Sequence, residues 1–490
     1  MKNTIKTAGK VIAGFGTTDI TPWEGVQLAG EAAGISRPAR FVRHRLYAKA
    51  SVFKSNKTVC MLCLDVIGIT DAYMEQIKQK IMELYGLEYG AIMVFSTQTH
   101  SAPAVGNIML DKDFPMDLTG DLEYVTGSSA KYSDFVAEQA VEAVKKAFEN
   151  MRPLKMDVKS GMRHGLAFCR RAVMRDGRVE MWPPYRAKEN PLGPDGLLYM
   201  ESPTDDEVGV VCFKDENMNF ASALMHFTCH PVNDFCTPSL YNAVSSDWPG
   251  IWSEHIQKMM GMESIPMVLN GCCGNINPWD PFTPDFIMDS EKMGEELTKL
   301  TERIILAMDF DGDEEPVTID YYNCKVPLDY QEVPEDRMAE IQRQMARDMD
   351  EVIKEGFVDH EWFQAAWTYS VLCLKKREPQ FMYPVQIFRI GGLAIVGLPG
   401  EPFSDGQLDI KLRSVAPMTY VTHMANRFIA YVPHEKAYKF EGYECNRNVI
   451  SGARVAPGSL EKICDQAVVG IKELFGIERP EAPLFKGKAE

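Results

Sequence analysis

The sequence lacks long apolar runs. No stretch approaches the roughly 18 consecutive apolar residues that suggest a membrane-spanning helix. Residues 11–15 form an apolar stretch behind a basic start, but it is too short for the hydrophobic region of a secretory signal peptide. We expect a first β-strand there instead. The sequence therefore predicts a protein without a signal peptide or a membrane span.

Positive charge is also scarce. The chain has 52 Lys and Arg against 69 Asp and Glu, which gives a formal net charge of −17. A nucleic-acid-binding protein needs a basic surface to neutralise phosphates, and docking on anionic lipid needs basic clusters. The charge balance argues against both partners. A small-molecule substrate is the partner that we expect, and the acidic surplus is typical of a soluble protein.

Cysteines are present but not spaced as a metal cluster. Of the twelve, Cys60 and Cys63 lie in an apolar run, and Cys272 and Cys273 are neighbours. Neither pair is followed by a second pair at the spacing of a structural zinc site. We expect buried free thiols and a reducing, cytoplasmic location. Cytoplasmic enzymes of this size often form homo-oligomers, although the sequence identifies no interface.

Buried strands alternate with amphipathic helices in the first third of the chain. Residues 58–67 and 91–95 are apolar enough for strands buried on both faces, and residues 71–85 and 132–148 have helical periodicity. This order predicts an α/β fold with a large mixed sheet, whose chemistry gathers at the carboxyl ends of strands. We expect one catalytic domain over residues 1–490, with a subdomain border near the acidic turn at 309–316.

Polar residues follow several of the predicted strands. A lone histidine at a strand end is usually structural, but a group of such ends favours a functional site. Neutral histidine and carboxylate side chains are the ligands of a catalytic zinc with an open position. The polar strand ends are at residues 99–103, 226–231 with 245–250, 274–279 and 399–403.

The order of these motifs resembles that of the neutral/alkaline non-lysosomal ceramidases and their bacterial relatives. The resemblance runs from about residue 14 to about residue 474. Each motif alone is weak, and their shared order carries the resemblance. The motifs are GFGTTDITP at 14–22, THSAP at 99–103, CHP at 229–231, DWPG at 247–250, GCCGNINP at 271–278, PGE at 399–401 and YVP at 431–433.

The resemblance implies a large α/β catalytic domain of the neutral ceramidase type with one zinc ion. It implies His230, Glu401 and Tyr431 as metal ligands, Arg170 as the arginine near the substrate and Tyr443 as a further active-site tyrosine. Ceramidases of this family also carry a C-terminal immunoglobulin-like β-sandwich. We expect that domain to be absent from this chain.

Two residues depart from the family pattern. The family has a histidine ligand where this chain has Gln98, which can offer only a neutral oxygen to a divalent ion. The family has a catalytic serine where this chain has Asn277, which is not a nucleophile but can donate a hydrogen bond to an oxyanion. The site is therefore expected to hold zinc or another divalent metal weakly, and its substrate is expected not to be ceramide.

These residues predict a ceramidase-like hydrolase acting on a small polar conjugate, with metal assistance. His100 is expected to be the general acid/base because an ordinary histidine pKa suits proton transfer near neutrality. Asp247 is the second acid/base candidate, and Arg170 would position the substrate.

Two alternatives stay open. One is a carbohydrate-processing enzyme, in which Asp247 and Glu401 cleave a glycosidic bond and aromatic side chains stack on the sugar. The other is a non-catalytic protein that binds sugar or lipid, since the ligand and nucleophile of the family are both replaced. The aromatic residues considered for stacking are Trp182, Tyr185, Trp248 and Trp279.

Overall fold

The computed structural model describes residues 6–31, 34–116, 118, 120–182, 189–283, 289–310, 315–446 and 452–476. Its largest element is an eight-stranded sheet with the strand order β8-β7-β6-β5-β1-β2-β3-β4. The pairs β3–β4 and β7–β8 are parallel, and the other neighbours are antiparallel. The strands are β1 (Gly9–Asp19), β2 (Tyr47–Lys54), β3 (Thr58–Leu64), β4 (Ile92–Ser96), β5 (Arg152–Met162), β6 (Glu207–Lys214), β7 (Phe220–Phe227) and β8 (Met267–Asn270).

Helices cover one face of this sheet. Helices α1 (Asp71–Tyr85) and α2 (Ala130–Glu149) pack on the half that contains β1 to β4. Helices α3 (Asp247–Met260) and α4 (Ser290–Leu306) pack on the other half. The contact of α2 with β1 depends on Gly16, because a Cβ at this position would lie 2.1 Å from the carbonyl oxygen of Ala143. The glycines of the first motif are thus required for helix packing.

A second sheet packs on the opposite face of the first. It contains β9 (Ile319–Leu328), β10 (Phe381–Ile390), β11 (Leu393–Gly397) and β12 (Met418–Thr422), in that order, and β11 and β12 are parallel. Aromatic side chains of both sheets fill the space between them. Helices α7 (Ser404–Arg413) and α8 (Ser459–Phe475) cover the outer face of the second sheet. The prediction of an α/β fold with a large mixed sheet is confirmed.

The remaining elements are short or lie beside the two sheets. Helices α5 (Glu335–Met345) and α6 (His360–Arg377) pack with the loop that follows β4. The short helices are Tyr89–Ala91, Gly120–Val125, Pro238–Leu240, Met349–Val352 and Ala437–Phe440. The short strands are Phe41–Val42, Phe168–Cys169, Arg171–Met174, Val179–Met181, Leu197–Met200, Ala243–Val244, Ile276–Asn277, Ile353–Lys354, Phe357–Val358, Glu401–Pro402 and Tyr431–Val432.

Part of the expected subdomain border, residues 311–314, lies outside the described residues. On one side of it, the Asp309 amide donates to the carboxylate of Asp157 at 2.9 Å. On the other side, the amide of Lys10 donates to Glu315, and the amide of Val317 donates back to Lys10. Both flanks are therefore bonded to the first sheet. No helix in the described part of the chain is long and apolar enough to cross a bilayer.

Candidate active site

The carboxyl ends of four strands from both sheets meet at one place. Gln98 and His100 follow β4, and His230 follows β7. Glu401 lies four residues after β11, and His423 comes directly after β12. Each of these side chains except that of His100 is bonded to another member of the group, and the His100 ring lies 5.6 Å from that of His230. The fold thus assembles residues that are up to 325 positions apart in sequence.

His230 and Glu401 form a buried pair at the centre of this group. His230 Nε2 lies 3.1 Å from a carboxylate oxygen of Glu401, and His230 Nδ1 donates to the Ile276 carbonyl oxygen at 3.1 Å. Burial alone would raise the pKa of Glu401, but the hydrogen bond from His230 and the charge of Arg170 outweigh it and lower that pKa. Glu401 is therefore a carboxylate anion in the folded protein at neutral pH.

Tyr431 is positioned by the backbone beside Glu401. The short strands Glu401–Pro402 and Tyr431–Val432 are parallel, and Glu401 is paired with Tyr431 in their register. Close approach of the chain here requires Gly274, since a Cβ on this residue would lie 2.3 Å from the Glu401 carbonyl oxygen. Burial, with the negative charge of Glu401, raises the pKa of Tyr431 well above its ordinary value. Tyr431 is consequently a neutral phenol at neutral pH.

Gln98 lies between Glu401 and His423. Its backbone is in the left-handed region, with φ of 65°, a conformation that costs free energy for a residue with a Cβ and that must be held by its surroundings. The side-chain oxygen lies 2.8 Å from His423 Nε2, and the side chain also bonds to Glu401. His423 lies in no recognisable sequence motif and was not among the predicted site residues.

The hydrogen bonds of His423 decide which way the Gln98 amide faces. His423 Nδ1 lies 2.9 Å from the Asn270 carbonyl oxygen, which can only accept. Burial lowers the pKa of His423 to about 4, so the ring is neutral and has one N–H. With that N–H given to Asn270, Nε2 must accept from the Gln98 NH₂ group. This assignment turns over the amide as placed, in which the NH₂ group donates to Glu401. It brings the Gln98 oxygen toward Glu401, where a bound cation would lie between the two oxygens.

Arg170 is held rigidly behind the two site tyrosines. Its guanidinium donates to Glu444 at 2.7 Å, to the Gly274 carbonyl oxygen at 2.6 Å and to the Asn277 side-chain oxygen at 3.3 Å. It lies 5.4 Å from the ring centroid of Tyr431 and 5.6 Å from that of Tyr443. Burial opposes the charge of Arg170, but the hydrogen bond with Tyr431 and the carboxylate of Glu444 raise its pKa.

Glu444 joins Arg170 to a second buried arginine. Its other carboxylate oxygen accepts from Arg171 at 2.5 Å, and Arg171 also donates to both carboxylate oxygens of Glu201. The four side chains are at most 6% exposed. Glu444 is adjacent to the predicted Tyr443, yet nothing in the sequence indicated that it would pair with a residue 274 positions away.

Asn277 is the third partner of Arg170. Because a guanidinium can only donate, the Asn277 oxygen faces Arg170 and the NH₂ group faces away. That nitrogen is buried without a hydrogen-bond partner among the described residues. It is the kind of free donor that an oxyanion would accept from.

His100 is half-buried, and one of its ring nitrogens is unpaired among the described residues. Its Nδ1 donates to the Gly30 carbonyl oxygen at 3.2 Å, while Nε2 has no partner among the described residues. Burial, and then the proximity of His230, lowers the pKa of His100 to about 3. The expectation of an ordinary histidine pKa is therefore wrong. His100 is a neutral imidazole that presents a lone pair.

Asp247 does not line the cavity that contains the other residues. One carboxylate oxygen accepts from the Asp234 amide at 2.9 Å and the other from the Trp248 amide at 2.7 Å. The side chain is fully buried, and burial with the charge of Asp234 raises its pKa well above the ordinary value. Asp247 begins helix α3 and fixes the loop before it. The structure thus separates Asp247 from Glu401 as an acid/base pair.

The cavity beside the cluster encloses about 620 Å³, its opening included. Of the predicted residues, it is lined by Gln98, His100, Glu401, Tyr431 and Tyr443. Tyr443 is 47% exposed and forms part of the opening. His230, Arg170 and Asn277 lie behind these residues. Further lining residues include Glu31, Met109, Thr126, Trp367, Met424 and Phe428.

The aromatic residues considered for sugar stacking are mostly core residues. Trp248 has no exposed surface, and Trp182 and Trp279 are 8% and 7% exposed. Tyr185 lies outside the described residues. The described members of this group do not line the cavity and cannot form a stacking surface there.

The cluster contains side-chain types that can coordinate a divalent cation. In the described part of the chain, no three His, Cys, Asp or Glu side chains are grouped as metal ligands. His230 and Glu401 supply two strong ligand types, and the Gln98 oxygen and the Tyr431 phenol would complete the set. The bond from His230 Nδ1 to a backbone carbonyl is the support that metal-binding histidines usually have.

Comparison with known proteins places the fold. No protein-family model matches the chain, and no curated protein matches it. Among solved structures, a neutral ceramidase from Pseudomonas aeruginosa is similar, with a TM-score of 0.68 and 16% identity over 96% of this chain and 75% of that chain. A ceramidase complexed with C2 is similar to the same degree, over 76% of its chain. The chain has a neutral-ceramidase-like fold.

Proposed function

We propose that this protein is a hydrolase that cleaves an amide or ester bond in a small polar conjugate other than ceramide. One observation carries the proposal. The neutral-ceramidase-like fold buries an ionised carboxylate, Glu401, on His230, and His100, whose Nε2 has no partner among the described residues, lines the same cavity. A base, a carboxylate and a small cavity are the parts that hydrolysis requires.

His100 is the residue that would accept the proton of the attacking water. Its Nδ1–H is committed to Gly30, so the proton acceptor is Nε2. A neutral ring is available as a base over the whole pH range in which enzymes usually work. The low pKa makes His100 a weak base at rest, and it also makes the protonated ring a strong acid for delivery to the leaving group.

Arg170 and Asn277 would shape the site from behind. Arg170 fixes Tyr431 and Tyr443 through contacts with both rings, and it fixes the orientation of Asn277. The NH₂ group of Asn277 is then free to stabilise negative charge. In this proposal Asn277 has no nucleophilic role.

We further propose that His230, Glu401, Tyr431 and Gln98 hold zinc or another divalent ion. The metal would polarise the scissile carbonyl. Binding should be weaker than at a zinc site with three His or carboxylate ligands, because an amide oxygen and a neutral phenol are weaker donors. A cytoplasmic location stays a prediction.

A substrate screen tests the proposal. Purified protein is assayed with chromogenic amides, esters and glycosides and with a fluorescent ceramide, with and without added Zn²⁺. We expect turnover of an amide or ester that Glu401→Gln abolishes and the surface variant Glu435→Gln retains. Robust ceramide hydrolysis lost in Glu401→Gln would refute the substrate class, and glycoside turnover would revive the carbohydrate alternative. No observation favours that alternative, since Asp247 lies outside the cavity.

A further inference from the structure

Arg454 is a buried cation without a counter-ion in the part of the chain that the structure describes. It is 7% exposed. A guanidinium has five N–H donors. Among the described residues, Nη2 alone meets an acceptor, the Ile108 carbonyl oxygen, at the limiting distance of 3.5 Å. Nε is buried without a partner among the described residues. Burial lowers the pKa of Arg454 to about 10. An uncompensated buried charge of this kind is costly and requires an explanation.

Arg454 lies where a second cavity adjoins the candidate active site. This second cavity encloses about 830 Å³, its opening included, and Arg454 is part of its lining. It shares Ile108 and Phe428 with the cavity of the candidate active site. The Arg454 guanidinium lies 5.3 Å from the ring centroid of Phe428. A ligand bound at Arg454 would therefore be next to the substrate cavity.

The other arginines of the second cavity are neutralised by carboxylates. Arg377 donates twice to Asp111, at 2.7 Å each, and is also paired with Asp113. Arg427 is paired with Asp71 at 2.7 Å and with Glu378 at 2.9 Å.

Arg454 has no such pair among the described residues. The carboxylates that act on it, Asp111, Asp71 and Glu401, do so from beyond ion-pair distance. Arg454 is thus the arginine of this cavity that is left to bind an external anion.

We propose that Arg454 binds the anionic group, a carboxylate or a phosphate, of a ligand that enters through the second cavity. The planar fork of a guanidinium matches the two oxygens of such a group. Lys112 lines the same cavity and adds positive charge. We also propose that this anionic group belongs to the substrate, and this part alone rests on the proposed function.

The first experiment needs no turnover. Melting temperatures of wild type, Arg454→Met and Lys112→Met are measured in inorganic phosphate, acetate or chloride at constant ionic strength. Phosphate or acetate should raise the wild-type Tm by on the order of 1–3 °C when it is well above its Kd. Arg454→Met should lose this rise and should melt no lower than wild type without the anion, because it removes an unpaired buried charge. Lys112→Met, with the same charge change, should keep most of the rise.

The alternatives to an anion site give different results. A wild-type Tm that neither anion raises above its value in chloride would overturn the proposal. A rise in Tm that Arg454→Met retains in full would also overturn the proposal. If Arg454→Met does not fold, Arg454→Lys keeps the charge without the fork, and it should show a smaller rise than wild type. An equal rise in Arg454→Lys would count against recognition by a guanidinium.

The second experiment separates a substrate group from a free anion. N-succinyl-p-nitroanilide and N-butyryl-p-nitroanilide present similar amides, but only the first carries a carboxylate. A preference for the succinyl compound in kcat/KM that Arg454→Met abolishes would assign the anion to the substrate. An anion-dependent Tm without that preference would assign the site to free phosphate or carboxylate. Absence of turnover with an intact Tm response would contradict the proposed function and leave the anion site standing.

Discussion

Glu444 is predicted to hold the candidate active site together through Arg170. Its two oxygens accept from Arg170 and Arg171, and all three side chains are at most 6% exposed. Burial opposes ionisation, but the charges of the two arginines outweigh it and lower the pKa of Glu444. Glu444→Gln removes the charge with little change in shape. It also turns an NH₂ group toward one of the arginines.

The loss of stability in Glu444→Gln depends on which partners Arg170 and Arg171 keep. Removing one partner of a buried ion pair typically costs about 3–5 kcal/mol. Arg171 keeps Glu201, and Arg170 keeps its bonds to Gly274 and Asn277. We therefore expect Glu444→Gln to lower the free energy of unfolding by about 3 kcal/mol, at the low end of that range. Urea denaturation followed by circular dichroism measures it.

Glu201→Gln is the matched control, because Glu201 pairs with Arg171 but not with Arg170. It should lose stability to a similar extent and keep its kcat/KM. Glu444→Gln should in addition lower kcat/KM by about tenfold or more, since Arg170 then no longer fixes Tyr431 and Tyr443. Equal losses of kcat/KM in the two variants, or a stability change below about 0.5 kcal/mol for Glu444→Gln, would refute the reasoning.

Three further predictions concern other residues. Gln98→His should tighten Zn²⁺ binding by about tenfold or more, because an imidazole replaces an amide oxygen. Calorimetric titration with Zn²⁺ measures the Kd, and an unchanged Kd would remove Gln98 from the ligand set. His100→Ala should lower kcat by about a hundredfold or more. It should change Tm little, since among the described residues Nε2 has no partner to lose and the one side-chain hydrogen bond, from Nδ1 to Gly30, is long at 3.2 Å. An intact kcat would end the proposed role as base. Burial lowers the pKa of Lys78 from 10.5 to about 7, against the smaller effects of Glu75 and Cys60. At pH values between about 7 and 10.5, Lys78 holds a proton in the unfolded chain that it lacks in the folded chain. Stability should therefore rise with pH by up to about 1.4 kcal/mol per unit relative to Lys78→Met, and parallel pH profiles for the two proteins would contradict this.

The sequence indicated which residues lie together better than it indicated their environment. Motif order indicated His230, Glu401 and Tyr431, and the structure brings all three together. His230 contacts Glu401, and Glu401 is paired with Tyr431 in two short parallel strands. Motif order could not indicate His423 or Glu444. Their partners are 325 and 274 positions away, and only the packing of the two sheets brings those partners close.

Two expectations depended on burial that a sequence does not reveal. His100 was expected to titrate near neutrality, but its ring is enclosed and its pKa falls to about 3. Asp247 looked like an acid in the DWPG motif, whereas it is the first residue of helix α3. A local signal for this was available, because proline is favoured in the first turn of a helix and Pro249 is two residues on.

The most direct test of the proposed site is kcat/KM for Glu401→Gln on the amide or ester that the screen identifies. Glu401→Gln keeps the shape of the side chain and removes the charge that His230 faces. The account predicts a fall of about a hundredfold or more, with Tm measured on the same preparation to show that the protein is folded. A folded Glu401→Gln protein with wild-type kcat/KM would show that the bond is broken elsewhere and would contradict the account.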